Sequence, residues 1–460
     1  MKDFGHMNTI VPRGWCPSLF APMRSGDGLL VRVKPPGGAL TAAAARALAS
    51  AAARFGNGVI ELGNRASIQV RGLTEAGVTP FAREMVALGL ACAEPHAEAR
   101  RTVIAPPLAG DDPAVSRHAA SVAAAIAAML VADARLAALP PKFGCLVDGG
   151  GVLPLGGVAA DVWVRLEDEA CWVGVDGADQ GAACAPSRAA AAAVQALLQA
   201  FLSLSDQPEP PPLVGGGWGR GESVTRPAEV DPLPPPPSHK GRGGAERRMR
   251  QLVERVGADR VFAAAGLSPV PVRPLRSATA AAGWLPYAQG RGAFLAALPF
   301  GVTDAATLAA VADLAERHAD GLLRVSPFRA IAFCGVGDPA SVANNLEALG
   351  LITNPADPRA RIAACPGRPA CGSASVAARD DAAWLARLNL PGALHVSGCA
   401  KGCAHPAAAD VVLVGEDGHY GLVRHGRAGD APSVRRLTVA EAADLLRQHS
   451  VGEHSKGVPA

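Results

Sequence analysis

Two segments of the chain alternate between apolar and other residues in the way that β-hairpins do. Residues 58–72 (GVIELGNRASIQVRG) and 321–335 (GLLRVSPFRAIAFCG) each contain two alternating runs joined by a short turn. Alanine-rich stretches elsewhere space their larger apolar residues with a helical period. The predicted helices span 41–55, 114–139, 188–204 and 304–318.

The same order of elements occurs twice, which indicates an internal duplication. The stretch GDGLLVRVKPPG (26–37) aligns with GRGAFLAALPFG (290–301), and RTVIAP (101–106) aligns with RIAACP (361–366). This long period differs from that of a solenoid, whose units span about 20–50 residues. The pattern predicts an α+β fold in which two repeats pack about a pseudo-twofold axis, with a cleft between them.

A stretch rich in Pro and Gly separates the repeats. It contains PEPPP, GGGWGRG and LPPPP with little periodic apolar pattern, which is typical of a flexible linker. Each repeat is expected to hold a half domain of strand, helix and hairpin, followed by a larger α+β domain. The predicted segments are 10–78 and 79–204 in the first repeat, 205–244 in the linker, and 245–337 and 338–450 in the second repeat.

Composition narrows the range of partners. The 460 residues carry a formal net charge of only +3, and the charges are scattered, so no basic stripe for nucleic acid is present in the sequence. The N-terminal MKDFGHMNTIV is not a signal peptide, and the longest nearly apolar run, 119–132, is shorter than the roughly 20 residues of a membrane span. We expect a cytoplasmic protein without membrane partners. In that reducing compartment, ten cysteines favour metal or redox chemistry over disulfides.

Four of the cysteines form two close pairs. Cys365 and Cys371 have five residues between them in ACPGRPACG, and Cys399 and Cys403 have three in SGCAKGCAHP. Four thiolates can surround a 4Fe-4S cubane, each binding one iron, and the flanking Gly and Pro let the backbone turn tightly. Zinc also accepts four thiolates, but its pairs usually have two to four residues between them. Buried structural thiols would not produce this pairing.

The remaining cysteines are isolated in mostly apolar stretches, where core packing explains them. Only Cys145 aligns with a motif cysteine, Cys399, while Ala105 stands in the place of Cys365. We therefore expect a cluster in the second repeat alone, which leaves the first repeat for substrate binding. These other cysteines are Cys16, Cys92, Cys145, Cys171, Cys184 and Cys334.

The cysteine spacing, in the second of two fused repeats, resembles the sirohaem-dependent sulfite and nitrite reductases. The resemblance implies ferredoxin-like halves paired about the pseudo-twofold axis and two further α+β domains of the cluster and tetrapyrrole type. It implies that Cys403 is the cysteine that bridges cluster and sirohaem iron in that superfamily. Arg65, Arg71, Arg101 and Lys142 match the superfamily's basic positions for tetrapyrrole carboxylates and anionic substrate.

Two further stretches, 13–35 and 397–406 (SGCAKGCAHP), closely resemble one branch of this superfamily, the precorrin-3B synthases. Gly144 stands where the sulfite site has its second lysine, a departure that argues against a sulfite or nitrite reductase. The resemblance implies hydroxylation of precorrin-3A at C20 with O2, followed by closure of the ring A acetate onto C1 as a γ-lactone. It also implies a 4Fe-4S cluster, a non-haem iron and an electron donor, either an NADH-linked or a ferredoxin-like reductase. Sirohaem is not expected.

A precorrin carries many carboxylates, so its site should combine an apolar floor with convergent basic side chains. A second iron needs open coordination positions, and the nearest imidazoles to the cysteine motif are His395 and His405. The sequence assigns no catalytic residue. The basic candidates are Arg24, Arg32, Arg65, Arg71, Arg101 and Lys142.

Two other functions share parts of this pattern. A sirohaem-dependent sulfite or nitrite reductase has the same fold and cluster but contains bound sirohaem. A non-catalytic iron–sulfur protein that transfers electrons or senses redox state needs no elaborate first repeat.

Overall fold

The computed structural model describes residues 17–205, 248–278, 282–287 and 290–454. The predicted linker after residue 205 lies outside these residues, as does Cys16. Within the described ranges the chain forms four sheets, two antiparallel and two mixed, with helices packed on them. The predicted α+β class is confirmed.

The first ferredoxin-like half shows why its helix was predictable. Thr41 accepts a hydrogen bond from the backbone of Ala44 and so caps the helix that buries Leu48 and a row of alanines on the sheet. The helix ends at Gly56. The elements are β1 (Met23–Ser25), β2 (Gly28–Val33), β3 (Ala39–Thr41), α1 (Ala42–Phe55), β4 (Val59–Leu62), β5 (Ile68–Leu73) and α2 (Glu75–Ala87).

A larger domain follows, built on a six-stranded sheet in the order β11-β10-β9-β8-β7-β6. Its elements are α3 (Pro95–Arg100), β6 (Val103–Ile104), α4 (Ala119–Ala132), β7 (Cys145–Asp148), β8 (Val162–Glu167), β9 (Ala170–Val175), β10 (Gln180–Cys184), α5 (Arg188–Ser205), α6 (Met249–Val256), α7 (Ala258–Ala264) and β11 (Pro269–Pro271).

Two expectations for this domain need correction. The predicted helix 114–139 is shorter, because Asp133 adopts an extended conformation that ends α4 and caps the short 3-10 helix Ala134–Ala138. Residues 249–271, counted with the second half in the sequence prediction, instead complete this sheet and its core. Among the described helices, α5 alone has the length and apolar composition of a membrane span, and half of it is buried in this domain.

The second ferredoxin-like half exchanges strands with the first. β3 pairs with β15, and β14 pairs with β4, so each five-stranded sheet contains one strand from the other repeat. Helices α1 and α8 pack together in a shared core. This reciprocal exchange is the pseudo-twofold pairing that the duplication predicted. The elements are β12 (Gly283–Pro286), β13 (Gly292–Ala297), β14 (Val302–Asp304), α8 (Ala305–His318), β15 (Leu322–Val325), β16 (Ala330–Phe333) and α9 (Pro339–Ala348).

The last domain repeats the plan of the six-stranded sheet with five strands. Three neighbouring strands are parallel and the remaining pairs are antiparallel, as in the first repeat. Its elements are β17 (Ile362–Ala364), α10 (Ala378–Ala386), β18 (Leu394–Ser397), β19 (Ala409–Glu416), β20 (His419–Gly426), β21 (Val434–Leu437) and α11 (Val439–His454).

The structure shifts one part of the internal alignment by one residue. The short 3-10 helices Pro36–Gly38 and Pro299–Gly301 are equivalent, and their last glycines have φ of 74° and 73°. Gly301 therefore matches Gly38, whereas the sequence alignment placed it on Gly37. A register irregularity between Leu29 and Val31 accounts for the additional residue.

Candidate active site

Two loops carry the four motif cysteines, and the sheet brings both loops to one edge. β17 and β18 are parallel neighbours, with Ala364 opposite Val396. Cys365 directly follows β17, and Cys399 lies two residues after β18. Because parallel strands end at the same edge of a sheet, the two cluster loops, 365–375 and 398–404, leave it side by side.

The two cluster loops contact each other directly. The backbone N–H of Gly398 donates to Cys365 Sγ (3.1 Å), and that of Ser375 donates to the Gly398 carbonyl (3.0 Å). A Cβ at position 398 would lie 2.6 Å from Ala374 Cβ and 3.3 Å from Cys365 Sγ. Only glycine therefore allows this close approach of backbone to sulfur.

The thiols act on one another electrostatically. Burial raises the pKa of Cys365, backbone N–H groups oppose the increase, and the thiols of Cys371 and Cys399 add to it. Burial also raises the pKa of Cys403, with further increases from Cys399 and Cys371. Cys371 and Cys399 thus each act electrostatically on both Cys365 and Cys403. Because metal binding requires thiolates, metal binding by these cysteines would release protons.

The residues at this edge fit a 4Fe-4S cluster. Each thiolate of a cubane binds a different iron, so its four sulfur ligands need not converge on a single point. The described residues contain no group of three or more His, Cys, Asp or Glu side chains placed to hold one metal ion, so the cluster at these cysteines stays a prediction. The N–H donated to Cys365 Sγ also fits, because hydrogen bonds to sulfur tune such clusters.

Lys142 faces the cluster loops from the first repeat. The side chain is exposed, and its ammonium, with that of Lys401, opposes the rise in the pKa of Cys403. Cys403 is exposed by surface area, yet enough protein surrounds its thiol for burial to raise the pKa. Lys142 of the first repeat is therefore close enough to act electrostatically on the Cys403 thiol of the second repeat.

A cavity of about 630 Å³ adjoins Lys142, since the preceding residue, Pro141, lines it. Small side chains of α4, such as Ala120, Ala124 and Ala127, also line it. The volume lies within the range of about 300–1,000 Å³ that is usual for organic ligands. The basic residues in the wall are Arg32, Lys34, Arg65, Arg101 and Arg324.

Three of the six basic residues predicted from the sequence line this cavity: Arg32, Arg65 and Arg101. Arg32 and Arg101 differ in the contacts that hold them. Arg32 donates to Gln69 (3.2 Å), while its buried Nε has no hydrogen-bond partner in the described part of the chain. Arg101 pairs with Glu98 (2.9 Å) and also donates to two backbone carbonyls. Arg101 is thus tied into the wall by an ion pair and two backbone carbonyls, whereas Arg32 is held by its hydrogen bond to Gln69.

The other three predicted basic residues lie outside this wall. Arg24 is exposed and pairs with Glu75 at the surface. Arg71 is buried in an ion-pair network, and Lys142 is exposed and acts electrostatically on Cys403. The structure therefore does not bring Arg71 into a common cleft with the others. The roles of the six residues in substrate binding stay predictions.

Arg71 connects the first repeat to the first cluster loop. Its guanidinium pairs with Asp27 (2.8 Å) and Glu61 (3.4 Å) and donates to the Ala370 carbonyl (2.7 Å). Glu61 also pairs with Arg379 of α10 (2.5 Å). Burial lowers the pKa of Arg71, but the carboxylates of Glu61 and Asp27 outweigh this effect, so the net pKa is raised. Sequence reasoning missed Glu61, although a carboxylate within the apolar strand VIEL was the available signal.

Sequence reasoning also missed two basic residues of the cavity wall. Lys34 lies two positions after Arg32, and the two-residue period of a strand directs both to one side. That period was the available signal. Arg324 comes from β15 of the other repeat and pairs with Asp111 (3.2 Å) and Asp320 (2.5 Å). No local pattern indicates that this strand reaches the cavity.

His395 and His405 adjoin the second cluster loop, with ring centroids 5.8 Å apart. His395 is fully buried, and neither ring nitrogen has a hydrogen-bond partner within the described ranges. Burial lowers its pKa to about 4, with contributions from His405 and Arg329. His405 contacts the Ala408 carbonyl (3.2 Å). No third His, Cys, Asp or Glu is grouped with the two rings in the described residues, so their role as ligands of a non-haem iron stays a prediction.

Gly144 occupies a buried position where a longer side chain has little room. Its N–H donates to Asp161 (3.0 Å), and a Cβ there would lie 3.2 Å from Thr102 Cγ2. The local packing therefore suits glycine at the place of the second reductase lysine.

Part of the first repeat matches a known family. Residues 21–88 match the nitrite/sulfite reductase ferredoxin-like half domain. The chain is also similar to the structure of the NirA protein of Mycobacterium tuberculosis, with a TM-score of 0.67 over 94% of this chain and 82% of that one. The sequence identity in that comparison is 20%, so it shows the fold alone.

Two relatives cover most of the sequence. The chain is 24% identical over 484 residues to sulfite reductase [ferredoxin] 2 of Mycolicibacterium paratuberculosis, covering 93% of this chain and 77% of the relative. It is 33% identical over 432 residues to a precorrin-3B synthase of Sinorhizobium sp, covering 92% of this chain and 84% of the relative. The chain belongs to the precorrin-3B synthase family, within the nitrite/sulfite reductase superfamily.

Proposed function

We propose that this protein is a precorrin-3B synthase, a monooxygenase that hydroxylates precorrin-3A at C20 and forms the γ-lactone of precorrin-3B. The observation that carries the proposal is the 33% identity over 92% of the chain to a relative of that name. Gly144 supports it against sulfite reduction, because a small oxyanion would lack a lysine there. One charge-assisted hydrogen bond contributes about 1.5–3 kcal/mol.

The cavity beside α4 is the proposed site for the macrocycle. Its alanine-rich wall offers the apolar surface that a tetrapyrrole needs, and Arg32 and Arg65 offer guanidinium groups for its carboxylates. Lys142 follows Pro141 of this wall and adds a cation that acts on the thiol of Cys403. The proposed substrate position extends from this wall toward the cluster loops.

Cys365, Cys371, Cys399 and Cys403 are the proposed ligands of a 4Fe-4S cluster. When bound, such a cluster supplies electrons. The reaction requires two electrons and two protons, and one atom of O2 enters the product while the other leaves as water. The proposed electron source is an NADH-linked or ferredoxin-like reductase. The described residues do not assemble a non-haem iron site, so no step is assigned to one.

The test is aerobic turnover of precorrin-3A by the full-length reconstituted protein with a chemical reductant under 18O2. One 18O atom is expected in the product, with no bound sirohaem and no sulfide or ammonia from sulfite or nitrite. Stoichiometric sirohaem together with reduction of either anion would reject the proposal in favour of a sirohaem-dependent reductase. Iron and sulfide without turnover of any of these substrates would favour an electron carrier or redox sensor.

Lys142→Ala is expected to weaken precorrin-3A binding about tenfold or more, because it removes a charge-assisted hydrogen bond to a substrate carboxylate. Binding is measured by titration of the anaerobic protein, and the optical and EPR signals of the cluster should stay unchanged. The matched control is Arg117→Ala, which removes an exposed cation of the same domain that pairs with Glu169 (2.6 Å). Equal affinities for the Lys142 and Arg117 variants would contradict the assignment.

A further inference from the structure

The turn between β15 and β16 carries an arginine in a backbone conformation that side chains rarely adopt. Arg329 has φ of 58°, in the left-handed region. Gly301 lies against it, and a Cβ at that position would lie 2.6 Å from Arg329 Cδ. The glycine therefore leaves space through which the arginine side chain passes.

This side chain ends at the second cluster loop. The guanidinium of Arg329 donates to the carbonyl of Ala404, the residue after Cys403. Burial lowers the pKa of Arg329, Glu61 opposes the decrease, and Arg379 adds to it. The guanidinium nevertheless stays charged at neutral pH, because the ordinary pKa of arginine is above 12.

The first repeat provides an internal comparison for this turn. Turns 63–67 and 326–330 are closed by equivalent backbone hydrogen bonds of 2.8 and 2.9 Å. Ala66 takes the position of Arg329 and has φ of 50°. The left-handed conformation thus belongs to the turn in both repeats, and the arginine does not cause it.

The two repeats differ in the residue that they place on this turn and in their motif cysteines. The repeat with Arg329 contains all four motif cysteines, whereas the repeat with Ala66 has Ala105 in the place of Cys365. The arginine therefore accompanies the cluster ligands and is not needed by the turn itself.

We infer that Arg329 is a positioning residue of the cluster centre, which holds the second cluster loop by its Ala404 carbonyl and raises the reduction potential of the cluster. This inference rests on the proposed 4Fe-4S cluster at the four cysteines. Reduction adds a negative charge to a group that already carries four thiolates. A nearby desolvated cation favours the reduced state, since Coulomb interactions are strong where water is excluded.

The test is the reduction potential of the cluster in Arg329→Gln, measured by EPR-monitored titration of the full-length reconstituted protein. We expect a tenfold or larger change in the one-electron equilibrium toward the oxidised state, which corresponds to about 59 mV or more. Iron and sulfide contents should equal those of the unsubstituted protein. A potential equal to that of the unsubstituted protein would overturn the inference.

Two further variants separate charge from structure. Arg329→Lys keeps the cation, so most of the original potential should return. If both Arg329 variants lower the potential equally, or both lose the cluster, the electrostatic role is rejected. Arg317→Gln removes the same charge from an exposed position on α8, where salt and water screen it, and should leave the potential unchanged. An unsubstituted protein without iron and sulfide would refute the proposed cluster itself.

Discussion

Cys365→Ala is expected to abolish assembly of the cluster and to reduce turnover of precorrin-3A by more than about 100-fold. The substitution removes one of four proposed thiolate ligands. Loss of a residue that only orients a metal ligand already lowers metal affinity or activity by about 10–100-fold, so loss of a ligand should cost more. Iron and acid-labile sulfide, expected at about four each per unsubstituted chain, are measured after anaerobic reconstitution, together with the EPR spectrum of the reduced protein.

The duplication supplies a matched control for this experiment. Cys145 is buried at the position that aligns with Cys399, and burial raises its pKa to about 12, as expected for a packed structural thiol. Cys145→Ala should therefore retain the full iron and sulfide content. If both variants kept their iron, or both lost it, the assignment of the cluster to the second repeat would be wrong.

Elements with a strong local signal were predictable from the sequence. The helix predicted at 304–318 is observed at Ala305–His318, because Asp304 accepts a hydrogen bond from the backbone of Thr307 (2.8 Å) and caps it. The close spacing of the motif cysteines was also visible within two short stretches of sequence. The two cluster loops leave one sheet edge because β17 and β18 are parallel, a pairing that the sequence pattern did not indicate.

Features that depend on the other repeat were not predictable. β3 and β14 are each three residues long, and the strands that they pair with lie in the opposite half. No local sequence pattern therefore indicates that the two halves exchange strands. Arg71 shows the same limit. One face of its strand, β5, packs on the core of its own domain. On the other face, Arg71 is covered by the first cluster loop, which lies far along the chain.

Arg71→Met is expected to lower the free energy of unfolding by about 3–5 kcal/mol, the usual cost of removing one partner from a buried ion pair. The side chain of Arg71 is only 4% exposed, and its loss leaves Glu61 with Arg379 alone and Asp27 without its cation. Urea unfolding of the cluster-free protein measures this cost separately from cluster binding. Arg24→Met should change stability little, because its pair with Glu75 is exposed.

A double-mutant cycle tests whether the cost comes from the unpaired carboxylate. Asp27→Asn removes the charge that Arg71→Met leaves behind, so the double variant should be more stable than the sum of the two single effects predicts. Part of the loss should persist, because the Ala370 carbonyl still lacks one of its donors from the first repeat and keeps only those of Ser25 and Gly26 among the described residues. Strict additivity, or a loss no larger than that of Arg24→Met, would show that Arg71 is not held by these charges.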